Sequence, residues 1–276
     1  MDLTARDKEV RRGFFETISR STVAIGPSKT VPLERFTHGT GVCVEFEAKP
    51  FIVTARHVVK ELERLGFSPA EFAVFARPDA PLAIDFSGRI PHRVSGLHVR
   101  EAIPISIEHA IQSDDKDDLA ALRLGRESAR SAGIRFHVLE ETRSSGQVGD
   151  GVIIVGLAEE MMVTPGPTPR GHLPIGVNSY ALESMVVQFR EELLVNYDHR
   201  FDPRLHYLAD FETGELPDSL QTPRGMSGGG VWLPIRTGPV WYPNVSLVGI
   251  QLSWYPRPRL IKVARIERVV DLLRGA

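Results

Sequence analysis

One serine, Ser227, stands in "TPRGMSGGGVW" (222–232) between Gly225 and the run Gly228, Gly229 and Gly230, which leads directly into an apolar segment. Glycine gives up more conformational freedom on folding than other residues, so four of them around one hydroxyl need a reason. A nucleophile loop would supply it, because bare backbone N–H groups must turn toward a developing negative charge and a Cβ would obstruct close approach. A serine hydroxyl is barely ionised at neutral pH; it needs a base, and the base needs an acid that fixes its tautomer. His38, His92, His98, His109, His137, His172, His199 and His206 lie in polar or loop-like contexts, where a solvated or hydrogen-bonded ring is expected. His57 differs: it follows "FIVTA" and opens "HVVKELERLG", so a rigid element would aim it. In "SDDKDDLAALRL", Asp114, Asp115 and Asp117 read as a hydrated charged loop, whereas Asp118 touches the apolar run and is the candidate acid.

Chain order discriminates among the scaffolds that use this chemistry. No histidine follows Ser227, which excludes the Ser–Asp–His order of an α/β-hydrolase even though "GMSGG" fits its elbow pattern. Only Asp2 and Asp7 precede His57, which leaves no comfortable acid for the subtilisin order. The order His57, Asp118, Ser227 remains.

These residues need elements to position them. Val10, Phe14 and Ile18 recur at four-residue spacing, which predicts an amphipathic helix over 5–19 packed against the main body. The texture then changes to short apolar runs broken by Gly and Pro: "STVAIG", "GVCVEFE", "FIVTA", "EFAVFA", "GLHVREAI", "LAALRL", "GVIIVGL", "MVVQF", "GVWLP" and "SLVGIQL". Many short strands at loose spacing predict β-barrels or a sandwich, not alternating β-α units. Val42, Val44 and Phe46 alternate with Cys43 and Glu45, and "EAKP" turns the chain into "FIVTA" as a hairpin. Ile266, Val269, Val270 and Leu273 fall at i, i+3, i+4 and i+7, which predicts a closing helix. The proline-rich and polar stretch 157–222 reads as surface insertions.

Composition excludes several classes. The 276 residues, 42% hydrophobic and 25% charged, are enough for a sizeable core. A net charge of −2 with Lys and Arg spread along the chain gives no basic field, so neither nucleic acid nor an anionic membrane is an expected partner. The N-terminal segment has no apolar core and no run spans a bilayer, while the single Cys43, in a strand-like run, reads as a buried thiol. The expected location is therefore the cytoplasm. No H-E-x-x-H or paired-cysteine pattern occurs, so neither a metal nor another cofactor is expected.

Together, "HGTGVCVEF…FIVTARHVV", "DDLAALRL", "VGDGVIIVGL" and "GMSGGGVW…SLVGIQLSW" resemble the blocks of trypsin-like (chymotrypsin-fold) serine peptidases, closest in style to the disulfide-free bacterial Deg/HtrA-type protease domain. The resemblance runs from about residue 38 to the C-terminal helix. It implies an all-β chain of two packed six-stranded antiparallel barrels with an N-terminal and a C-terminal helix. The implied organisation is a lead-in over 1–22, a first barrel over 23–140 carrying His57 and Asp118, and a second over 141–276 carrying Ser227, with the insertions of 157–222. It implies a catalytic triad of His57, Asp118 and Ser227, an oxyanion hole from the N–H groups of Gly225 and Ser227, and a substrate pocket near Gln221, Ser253 and Trp254.

Departures from the family pattern matter too. The residue before the serine is Met226 and not the acid that pairs with a freshly cut N-terminus, and the pocket-base position is Gln221, so an Arg/Lys preference is not implied. "IQLSWYP" is one residue longer than the family's strand, which leaves open whether Trp254 or Tyr255 borders the pocket. The chain leaves no length for a C-terminal peptide-binding domain, so regulation is expected from the N-terminal helix, the insertions or an activating partner. The expected function is an intracellular serine endopeptidase making limited regulatory cuts in a protein or peptide substrate. The alternative is a catalytically silent barrel module that holds a peptide as an added strand.

Overall fold

The computed structural model describes residues 4–27, 38–75, 83–85, 92–95, 107–131, 134–140, 144–163, 176–190, 192, 200–211, 224–235 and 244–275. The expected "GLHVREAI" strand and Gln221 lie outside them.

Helix α1 (Ala5–Arg20) opens with a capping box in which Thr4 and Asp7 satisfy each other's backbone N–H groups, a local reason for the helix to start there. Its apolar stripe buries Phe14, Phe15 and Ile18, so Phe15 joins the two positions that the spacing identified. These side chains enter a core cluster shared with Val42 and Val44, with Leu247 and Ile250, and with Ile266 and Val270. Arg11 adds an ion pair to Glu183, whose carboxyl is raised by burial.

The first sheet runs β4–β1–β2–β3–β8–β7, formed by β1 (Thr22–Pro27), β2 (Gly39–Phe46), β3 (Lys49–Ala55), β4 (Phe72–Phe75), β7 (Ile107–Gln112) and β8 (Leu119–Leu124). Between β2 and β3 the chain turns at Glu47 and Ala48, both at positive φ, the geometry that matches strand twist in a two-residue hairpin. The short β9 (His137–Val138) pairs in parallel with β2. Helix α2 (Arg56–Arg64) follows β3 without an intervening loop.

The second sheet closes into a six-stranded barrel of β10 (Gly151–Val163), β13 (Gly230–Ile235), β14 (Asn244–Tyr255), β15 (Leu260–Arg265), β12 (His206–Asp210) and β11 (Gly176–Val187), because β10 also pairs with β11. Closure removes the exposed edges that an open sheet carries. In the first sheet, β4 and β7 are not paired with each other among the described residues. A small hairpin, β5 (Ala83–Asp85) with β6 (His92–Ser95), leaves the first half of the sequence and pairs with β11. Strand β12 and most of β11 come from the 157–222 stretch, so that stretch supplies two barrel strands besides any insertions. Helix α3 (Arg126–Ser131) follows β8, and α4 (Ile266–Arg274) ends the chain with Ile266, Val269, Val270 and Leu273 buried as their spacing requires. Cys43 is buried and its thiol is pushed up by burial.

Because Phe15 is fully buried among side chains of both sheets, Phe15→Ala is expected to lower unfolding stability by about 3–5 kcal/mol in a denaturant titration. A loss below ~1 kcal/mol would mean that α1 is a detachable lead-in.

Candidate active site

A helix start leaves backbone N–H groups without partners, and Ala55, which caps α2, has no side chain to offer. Asp118 fills that role from the neighbouring strand. Its carbonyl accepts the Arg56 N–H at 2.8 Å, its Oδ1 accepts the His57 N–H at 3.0 Å, and its Oδ2 lies 2.8 Å from His57 Nδ1. One residue therefore fixes both the entry of the helix and the plane of the imidazole. With a carboxylate at Nδ1 the proton belongs on that nitrogen, and Nε2 is left as the acceptor. The two residues meet because β3 and β8 pair with Ala55 opposite Leu119, so His57 and Asp118 flank matching strand ends. Asp118 adopts φ +52°, a left-handed conformation that aspartate tolerates better than most residues. The His57 side chain is 48% exposed and that of Asp118 18%, which presents the ring to solvent and shelters its partner.

Ser227 sits in a tight turn closed by Gly229 N–H to Met226 O at 2.9 Å, with Gly225 at φ +83° and Gly228 at φ +90°. A Cβ on Gly228 would lie 2.0 Å from Thr40 O and 2.3 Å from Thr54 Oγ1, so the loop backbone presses directly on β2 and β3. Thr40 joins the two halves. Its hydroxyl donates to Gly225 O at 2.8 Å and accepts from Leu157 N–H at 2.9 Å, and its own N–H donates to Ser227 O at 2.9 Å. On the far side, Gly228 N–H donates to Gln251 O, and Gln251 N–H returns to Gly229 O, both at 2.8 Å. Met226, where the family pattern has an acid, is buried against Gly156 and anchors the loop by packing. The N–H groups of Gly225 and Ser227 have no carbonyl partner among the described residues.

His57, Asp118, Ser227, Ser253 and Trp254 line one cavity of about 480 Å³. The structure thus brings together five of the expected site residues, with Gly225 in the same turn; Gln221 lies outside the described residues. No hydrogen bond joins Ser227 Oγ to His57 in this conformation, nor Ser253 to Asp118. Such bonds commonly tighten only around bound substrate. The extra residue of "IQLSWYP" is absorbed by a bulge between Gln251 and Ser253, which leaves Trp254 on the cavity while Tyr255 packs with Leu208 and Leu260.

One aspartate departs from expectation. Asp117 is not hydrated: it is 7% exposed and takes two hydrogen bonds from Arg268 of α4, at 2.7 and 3.2 Å. Asp115 pairs at the surface with Arg56 and Lys60, and Asp114 accepts the N–H groups of Asp117 and Lys116, which hold its carboxyl below the usual carboxylate range. Sequence reading also passed over Thr40, whose signal was a hydroxyl framed by two glycines in an apolar strand. Lys262, a lone charge inside "LIKVA", and the arginines 200 and 224 lining the same cavity were passed over as well.

No family model and no curated protein matches the chain by sequence. Solved structures do match by shape. The Rv3671c protease from M. tuberculosis in its active form aligns with 96% of this chain and 85% of its own, at 16% identity and TM-score 0.52. Its inactive form aligns with 97% and 94%, at 14% identity and TM-score 0.49. The serine endoprotease from Yersinia pestis aligns with 100% of this chain and 67% of its own, at 15% identity and TM-score 0.48. The fold is the chymotrypsin-like double barrel of trypsin-like serine peptidases, one barrel closed and the other an open six-strand path.

Because Asp117 ties the loop that carries Asp118 to α4, Asp117→Asn is expected to cost about 1–3 kcal/mol of stability in a denaturant titration, the range for a hydrogen bond to a charged group. An unchanged midpoint would mean that the pair contributes nothing to holding that loop.

Proposed function

We propose that the chain is a serine endopeptidase. The observation that carries this reading is the doubly anchored His57, held by Asp118 through both backbone and ring, in one cavity with a serine whose flanking N–H groups are unclaimed. In the proposed reaction, Ser227 Oγ attacks a peptide carbonyl as its proton passes to His57 Nε2, and Asp118 stabilises the resulting imidazolium. The Gly225 and Ser227 N–H groups receive the oxyanion. The tetrahedral intermediate expels the amine, which takes the proton from His57; water, deprotonated by the same nitrogen, then releases the acyl group and restores the serine. Limited cleavage inside the cell belongs to the same proposal. A single buried cysteine is compatible with a reducing compartment, and among the described residues no helix is long and apolar enough to cross a membrane. Met226 supports control by something other than a charge pair with a new N-terminus, such as a partner acting on substrate access.

A fluorophosphonate probe, followed by peptide mapping, is expected to label Ser227. His57→Ala is expected to abolish rapid labelling, and Asp118→Asn to lower turnover by about 10⁴, the loss typical of an acid-to-amide change in such a triad. Labelling of His57→Ala at the wild-type rate would remove His57 as the base. An unlabelled Ser227 in folded wild-type protein would favour the silent peptide-binding module.

A further inference from the structure

Strand β15 reads "LIKVAR", and Ile261 and Val263 both point into the core of the closed barrel. Strand alternation puts Lys262 on the opposite face, where it is registered across from Ser253 and lines the cavity that holds Ser227. It is 2% exposed. Keeping a lysine there costs desolvation that an aliphatic residue would avoid, so the position calls for a purpose. Arg224, three residues before Ser227, lines the same cavity, is exposed, and makes no ion pair among the described residues. Arg200 is a third cationic lining residue. The one carboxylate among the described lining residues, Asp118, is already engaged by His57.

We propose that this cavity selects an acidic side chain, aspartate or glutamate, on the residue whose carbonyl Ser227 attacks, with Lys262 at its depth and Arg224 at its mouth as the specificity-determining residues. The inference rests on the serine endopeptidase reading. A carboxylate entering beside Ser227 meets a buried ammonium and an accessible guanidinium, both donors suited to charge-assisted hydrogen bonds. A neutral amide of the same shape would leave those donors poorly matched, and a cationic side chain would be repelled.

The test uses peptidyl diphenyl phosphonates that differ only in that side chain: Glu, Gln, Leu and Lys. Each reacts once with the serine, forming an Oγ–P bond and releasing phenol, so the second-order rate reports recognition without turnover. The expected order is Glu fastest, at about 10- to 100-fold over Gln, with Lys slowest, the span of one hydrogen bond to a charged group. In Lys262→Met the Glu-to-Gln ratio is expected to fall toward one. Arg224→Ala, at an exposed position that does not threaten folding, is expected to lower it severalfold and to weaken its dependence on salt. Equal rates for Glu and Gln in wild-type protein that a fluorophosphonate still labels at Ser227 would overturn the acidic specificity and leave the peptidase reading standing. Folded protein that no serine probe labels would overturn both. A Glu preference unchanged in both variants would overturn the roles of Lys262 and Arg224.

Discussion

The hydroxyl of Thr40 is a small group with two obligations. It gives its proton to the carbonyl of Gly225 and takes one from the N–H of Leu157, while the backbone N–H of the same residue holds the carbonyl of Ser227. Three segments converge on one side chain: a strand of the first sheet, a strand of the closed barrel, and the serine turn. Each bond satisfies a polar group that would otherwise cost free energy in the interior. The glycines around Ser227 follow from this contact. At Gly228 the backbone lies so close to Thr40 and Thr54 that no Cβ fits, and with two positive-φ glycines the turn presents its N–H groups to the cavity. What reads in the sequence as excess flexibility is, in the fold, close contact.

Asp118 shows the same economy on the other side of the cavity. As the cap of α2 it satisfies a helix terminus that Ala55 cannot, and the capping geometry itself places a carboxylate oxygen at the ring of His57. Site and scaffold share these atoms, so the position of the base depends on the register of β3 against β8. The adjacent Asp117 extends the connection to α4 through Arg268. The C-terminal helix, buried along its apolar stripe, thereby braces the loop that carries Asp118.

Much of this was legible in the residues, and the exceptions have physical causes. The hairpin of β2 and β3, the helices α1 and α4, and the order of His57, Asp118 and Ser227 all rest on local periodicity or spacing. Strand β12 escaped because it is five residues long, follows a polar run and buries His206, so no alternation marks it. Asp117 escaped because a run of four aspartates signals solvent, and only the return of α4 supplies Arg268. Thr40 could not be assigned its role from sequence: its partners Leu157 and Gly225 lie 117 and 185 residues away, joined only by the packing of the two barrels. The bulge at Leu252 explains why a strand one residue too long still delivers Ser253 and Trp254 to the cavity.

The central claim is that the first sheet, through Thr40, holds the serine turn in its reactive form. The rate at which a fluorophosphonate labels Ser227 in Thr40→Ser and Thr40→Val, measured beside the unfolding midpoint of each, tests it most directly. Serine keeps the hydroxyl and is expected to retain a rate near wild type. Valine keeps the shape but not the donor or the acceptor, and is expected to lose about 10²-fold or more at a temperature where the protein is still folded, as when a hole donor is misplaced. Wild-type labelling in folded Thr40→Val would contradict the account, because the turn would then hold its geometry without the contact on which it is said to depend.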